Sequence, residues 1–174
     1  MLHIFYIYSK SRKFWAILIC SSISLISIAL LNQFFFLLKP CILCIYQRCS
    51  LFGITIAGLI ALISPKTTLL RLFSIFIWLY SAIKGLYFSN IHMQTTLHPS
   101  SSLTCDLFVS FPNWLPLNKW YPIIFDSKIS NCYSYPQYLL YLEISQWMLL
   151  FFLIYLIIAI FTIISQCHNL FQKK

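Results

Sequence analysis

Four stretches of this chain stay apolar for close to twenty residues, and no other feature of the sequence restricts its fold as much. A bilayer core of about 30 Å is crossed by roughly 20 helical residues rising about 1.5 Å each. The runs extend from Phe14 to about Leu31, Ile42 to Ile63, Leu69 to Phe88 and Ile144 to Ile164, and the first can continue through Phe34-Phe35-Phe36-Leu37-Leu38 before Lys39-Pro40. The expected fold is an all-α membrane protein. It is a four-transmembrane-helix bundle forming one polytopic domain over residues 1–174, with loops at 32–41 and 90–143 on one side.

Composition supports this reading. Of 174 residues, 60% are hydrophobic and 9% charged, which excludes a disordered chain and an ordinary soluble domain. Twelve basic residues against three acidic ones give a net charge of +9, a balance that in a soluble protein would point to nucleic acid. A nucleic-acid binder needs a solvated basic face, whereas these cations mostly sit at the ends of apolar runs. The partner expected is therefore the lipid bilayer, with no nucleic acid.

Orientation follows from the cations. Lys10, Arg12 and Lys13 precede the first run, Lys66 and Arg71 bracket the turn between the second and third, and Lys173 and Lys174 close the chain. The other side carries Lys39, Lys119 and Lys128 with all three acids, Asp106, Asp126 and Glu143. The positive-inside rule places both termini in the cytoplasm, so in a bacterial inner membrane loops 32–41 and 90–143 face the periplasm. The basic start resembles a secretory signal with a weak cleavage site at Ser27-Ile28-Ala29, but the apolar run continues past it, which argues against cleavage. In the long loop, the Trp-, Tyr- and Pro-rich segment Phe111–Pro122 suits a short helix lying on the outer leaflet or a cover over the helix ends.

Seven cysteines stand at 20, 41, 44, 49, 105, 132 and 167. By this topology Cys41, Cys44, Cys105 and Cys132 face outward. Cys20, Cys49 and Cys167 are expected as apolar fillers or reduced thiols. Pro40 followed by Cys41-Ile42-Leu43-Cys44 puts two thiols three residues apart where a helix begins, and unpaired N–H groups there favour a thiolate. Arg48, four residues after Cys44, lies roughly 40° around and about 6 Å along the same helix face. A cation this far into an apolar span is a functional candidate; its alternative is to snorkel to lipid phosphates.

Cys-x-x-Cys spacing alone is shared by redox and zinc sites. Cys105 and Cys132 are 27 residues apart, unlike the close pairs of a structural zinc site, so no metal ligand set is expected. Two static disulfides, or a membrane scaffold or four-cysteine metal-binding protein with structural thiols, remain the alternatives. Disulfide exchange is favoured by the spacing, by the neighbouring cation and by a second pair on a loop long enough to move. Such chemistry needs an electron sink. The chain has no Cys-x-x-Cys-His and no Gly-x-Gly-x-x-Gly, and a lipid-dissolved quinone fits the location. Gly53 and Ala57, four apart in the second run, suit close helix packing.

The segment Lys39-Pro40-Cys41-Ile42-Leu43-Cys44-Ile45-Tyr46-Gln47-Arg48-Cys49 closely resembles the disulfide bond formation protein B family, DsbB. So do Ser64-Pro65-Lys66-Thr67, Trp78-Leu79-Tyr80-Ser81-Ala82, Thr104-Cys105-Asp106, Phe111-Pro112 through Pro122 and Gln146-Trp147, covering nearly everything from Lys39 to Gln166. The resemblance implies a quinone-dependent thiol oxidase that reoxidises a periplasmic DsbA-like thioredoxin-fold oxidase and passes electrons to ubiquinone or menaquinone. It also implies roles. Cys105 would form the mixed disulfide with the partner and Cys132 would resolve it. Cys132 would then exchange with Cys41, freeing Cys44 to face the quinone beside Arg48. His92 matches a histidine at the outer end of the third helix that would polarise a quinone carbonyl, and Lys84 matches a basic position that suits snorkelling. Two departures stand out: Thr96 replaces a glutamine four positions after His92, with Gln94 shifted by two, and Gln47 replaces the commoner glutamate, removing a possible ion pair.

Overall fold

The computed structural model describes residues 7–35, 42–97, 138–139 and 142–172. Four long helices dominate: α1 Arg12–Phe35, α2 Ile42–Ile63, α3 Thr68–Leu97 and α4 Ile144–Gln172. Each contains a segment long and apolar enough to cross a membrane, so the protein is an all-α, four-helix membrane bundle. A two-residue antiparallel pair, β1 Tyr138–Leu139 with β2 Leu142–Glu143, leads directly into α4. The interfacial segment expected in the long loop lies outside the described residues, as do Cys41, Cys105 and Cys132.

Helix ends do not coincide with the ends of the apolar runs. The third run ends at Phe88, but α3 continues to Leu97, and α4 continues eight residues beyond Ile164. Apolarity marks where lipid ends. A helix stops only where its backbone bonds fail, and no proline follows in sequence until Pro99. Starts are set by local hydroxyl and carbonyl groups. Ser11 Oγ accepts from Lys13 N at 3.3 Å ahead of α1, and the Thr67 carbonyl accepts from Arg71 N at 3.2 Å at the head of α3.

Lipid tails are as apolar as leucine, so helices associate in a bilayer through tight packing and hydrogen bonds rather than through escape from water. Both are present. The chain runs up and down, with α1 against α2, α2 against α3 and α3 against α4. Gly53 faces Ser81 of α3, and Gly58 faces Ile19 of α1, where an added Cβ would lie 2.6 Å from that side chain. Gly85 lies under the ring of Phe152 on α4, and any side chain there would overlap it. Ala57, the expected partner of Gly53 in close packing, is fully buried. Across the helices, Tyr155 Oη donates to Ser21 Oγ at 2.9 Å, and Ser22 Oγ lies 2.9 Å from Thr55 Oγ1. Trp15 and Trp78 pack edge to face, with centroids 6.1 Å apart.

The outer surface is apolar instead. Ile17, Ile23, Phe73, Phe76, Tyr80, Ile157 and Phe161 are exposed on the bundle's outside, where lipid replaces water as solvent. Exposed Lys84 lies 5.9 Å from the centroid of the Tyr80 ring.

At the end where α1 and α3 begin, Arg71, counted by position among the cations of one membrane side, is 1% exposed. Its Nε and Nη2 donate to Gln166 Oε1 at 3.1 and 2.8 Å, and Nη1 donates to the Pro65 carbonyl at 3.0 Å. Gln166 Nε2 donates to Ser9 Oγ at 2.6 Å, and the Ser9 carbonyl accepts from Trp15 Nε1 at 2.8 Å. This polar clasp joins the N-terminal segment, the α2–α3 turn, α3 and α4. Gln166→Leu removes the acceptor of two charge-assisted bonds from a buried cation. It should cost about 2–4 kcal/mol, read as a lower Tm in detergent with helical content retained.

Candidate functional site

The opposite end of the bundle holds the chemistry-bearing residues. Cys44 is the third residue of α2 and half-buried at its rim, between buried Ile42 and Ile45. Three and four residues on, Gln47 and Arg48 are 3% and 5% exposed. At about 100° per residue they lie roughly 60° to one side of Cys44 and roughly 40° to the other, one turn deeper. One helix face thus carries a thiol with an amide and a guanidinium beneath it.

The two deeper side chains reach different helices. Arg48 Nη2 donates to the Ala29 carbonyl of α1 at 3.3 Å. The guanidinium is therefore drawn into the bundle against α1, a different placement from snorkelling towards headgroups. Gln47 Nε2 lies 3.3 Å from His92 Nδ1 on α3. The residue that cannot form an ion pair instead ties the histidine to the cysteine's helix. Gln94 is exposed on α3, and the side chain of Thr96 lies outside the described residues.

Other groups line the same end. Tyr46 stacks on Phe88 with centroids 4.9 Å apart and planes 19° from parallel, closing the α2–α3 seam beside His92. Ser89, one turn before His92 on the same face of α3, is fully buried, and its hydroxyl has no hydrogen-bond partner among the described residues. Sequence reasoning passed over Ser89, just past the end of the third apolar run, because a helical serine usually bonds its own helix. It also gave Gln47 no partner, because nothing local links positions 45 residues apart.

Of the residues expected at the site, the structure brings Arg48 and Cys44 onto one face of α2, and His92 meets that face through Gln47, which was not among them. Cys41, Cys105 and Cys132 lie outside the described residues. The remaining cysteines are elsewhere: Cys20 and Cys167 are exposed on α1 and α4, and Cys49 is half-buried on α2. Cys20 therefore points out of the bundle rather than filling it. Among the described residues no group of three or more His, Cys, Asp or Glu side chains could hold a metal ion.

Fold and site together define a class: a multi-pass membrane protein with a cysteine and a buried arginine stacked on one face of a transmembrane helix, at the mouth of a four-helix bundle. A sequence model described as "Disulfide bond formation protein DsbB" matches residues 11–162. The chain belongs to this family. Relatives carrying the name Disulfide bond formation protein B include one from Blochmanniella pennsylvanica, 54% identical over 98% of this chain and 97% of the relative. Those from Sodalis glossinidius and Escherichia coli K12 are 46% and 44% identical, each over 91% of this chain and 89% of the relative.

The Arg48 bond fixes the outer half of α1 to α2. Arg48→Met keeps the apolar stem and removes that bond. It should speed backbone hydrogen exchange around Ala29 by about tenfold, the equivalent of one charged hydrogen bond. Mass spectrometry of exchanged peptides measures it, with the Arg71 end as the unaffected reference.

Proposed function

We propose that this protein is an inner-membrane, quinone-dependent protein thiol oxidase. In this reading it reoxidises a periplasmic DsbA-like thioredoxin-fold protein and passes the electrons to the membrane quinone pool. The observation that carries the reading is the Cys44, Gln47 and Arg48 face at the rim of an apolar bundle, in a chain of the DsbB family. The charge distribution supports an orientation with both termini in the cytoplasm and this rim at the periplasmic boundary.

The residues present suit a quinone, whose carbonyl oxygens are acceptors on an otherwise apolar ring. Arg48 supplies a buried cation, His92 a ring nitrogen, and Ser89 a buried hydroxyl with no protein partner among the described residues. Arg48, His92 and Cys44 would hold it, at a rim open to lipid. A bound quinone supplies an acceptor for two electrons and two protons.

The chain's own cysteines do the rest. A thiolate of the reduced partner attacks Cys105 in a Cys105–Cys132 disulfide, forming a mixed disulfide and releasing Cys132 as a thiolate. The partner's second thiolate then displaces Cys105, and the partner leaves oxidised. Cys132 attacks Cys41 in a Cys41–Cys44 disulfide, releasing Cys44. Cys105 next displaces Cys41 from Cys132, which restores the loop disulfide. The 41/44 dithiol now carries the two electrons, and it re-forms its disulfide as two electrons and two protons depart. Arg48 stabilises negative charge on the Cys44 sulfur during that departure by lying on the same helix face.

The test mixes purified protein, a reduced thioredoxin-fold oxidase and a soluble quinone, following quinone absorbance. Cys44→Ser should abolish quinone reduction while a mixed disulfide through Cys105 can still be trapped. Alanine at Cys20, Cys49 or Cys167 should leave turnover within about twofold, since a thiol outside the relay carries no electrons. Undiminished turnover in Cys44→Ser refutes the proposal.

A further inference from the structure

The Gln47–His92 contact has a directional content that its length alone does not express. A neutral imidazole has one nitrogen that donates and one that accepts. In this contact the Gln47 amide nitrogen faces His92 Nδ1 at 3.3 Å, and an amide NH2 group can only donate. Nδ1 must then be the accepting nitrogen, which leaves the ring proton on Nε2.

Gln47 can enforce this choice because it has little freedom. It is 3% exposed on α2, one turn below the half-buried Cys44, and its neighbour Arg48 is anchored to α1. The Tyr46–Phe88 stack, adjacent in sequence to Gln47 on one helix and four residues before His92 on the other, fixes the α2–α3 spacing across which the amide reaches.

We propose that Gln47 is a positioning residue: by donating to Nδ1 it holds His92 as the Nε2–H tautomer, so that the ring presents a hydrogen-bond donor to a carbonyl oxygen of the electron acceptor. This rests on the quinone reading given above. The reason for an amide at position 47 is then chemical. A carboxylate there could only accept, would hold a proton on Nδ1, and would favour the charged imidazolium over the neutral Nε2–H ring.

The experiment uses full-length protein with 15N-labelled histidine in lipid nanodiscs free of quinone, His92 being assigned by the signal lost in His92→Ala. The expected spectrum has Nδ1 unprotonated and Nε2 protonated. Gln47→Glu should add a proton at Nδ1, and Gln47→Leu should give a mixture of tautomers. In turnover assays Gln47→Leu should raise the quinone KM about twofold, the fall in population of the donating tautomer, with the partner's KM unchanged. A wild-type spectrum with the proton on Nδ1 overturns the proposal even if neither variant folds. So do tautomers unchanged by both substitutions, or a quinone KM unchanged by Gln47→Leu. A wild-type protein that reduces no quinone at all instead defeats the oxidase reading, and the spectrum distinguishes the two failures because no acceptor is present when it is recorded.

Discussion

Everything in this bundle is arranged around one constraint: inside a bilayer there is no water to solvate a charge, so a buried guanidinium must find its partners in protein. The chain buries two. Arg71 meets side-chain and backbone oxygens from α4 and the α2–α3 turn, and its bonds close a clasp. Arg48 reaches the Ala29 carbonyl of α1 from the same face of α2 that carries Cys44. One arginine locks the end where the chain begins; the other sits one turn beneath a thiol.

These two ends divide structural and chemical work. Between them the bundle is held by close approach at Gly53, Gly58 and Gly85 and by hydroxyl bonds such as Tyr155 to Ser21. That middle layer is closely packed, which keeps α2 and α3 at the spacing that lets Gln47 meet His92. A thiol chemistry facing lipid needs such a platform, because loops alone would not hold a cysteine, a cation and an imidazole in register at a boundary.

Much of the fold was legible because a bilayer imposes a length on apolar runs. The run from about Ile42 to Ile63 lies on α2, and the pause at Ser64-Pro65-Lys66-Thr67 is the turn before α3. The ends of α3 and α4 were not legible, because hydropathy reports lipid contact while helix continuation depends on backbone bonds through polar residues such as Asn90, Gln94 and Thr95. The burial of Arg71 was not legible for a related reason. Counting cations assigns a side of the membrane and is blind to burial, which here came from Gln166, 95 positions away. At the site, the spacing of Cys44 and Arg48 showed a shared helix face; whether the guanidinium turned inward or towards headgroups depended on where α1 lay.

By itself, the sequence determined the elements and their chemistry: four spans, their alternation, and a thiol, an amide and a cation at positions i, i+3 and i+4 of one helix, since helix periodicity is a local property of the backbone. Tertiary structure alone decided the partners. It gave Arg48 the Ala29 carbonyl, Gln47 the imidazole of His92 and Arg71 the amide of Gln166, because each of these contacts joins helices whose relative rotation is settled by side-chain packing and by no short-range rule.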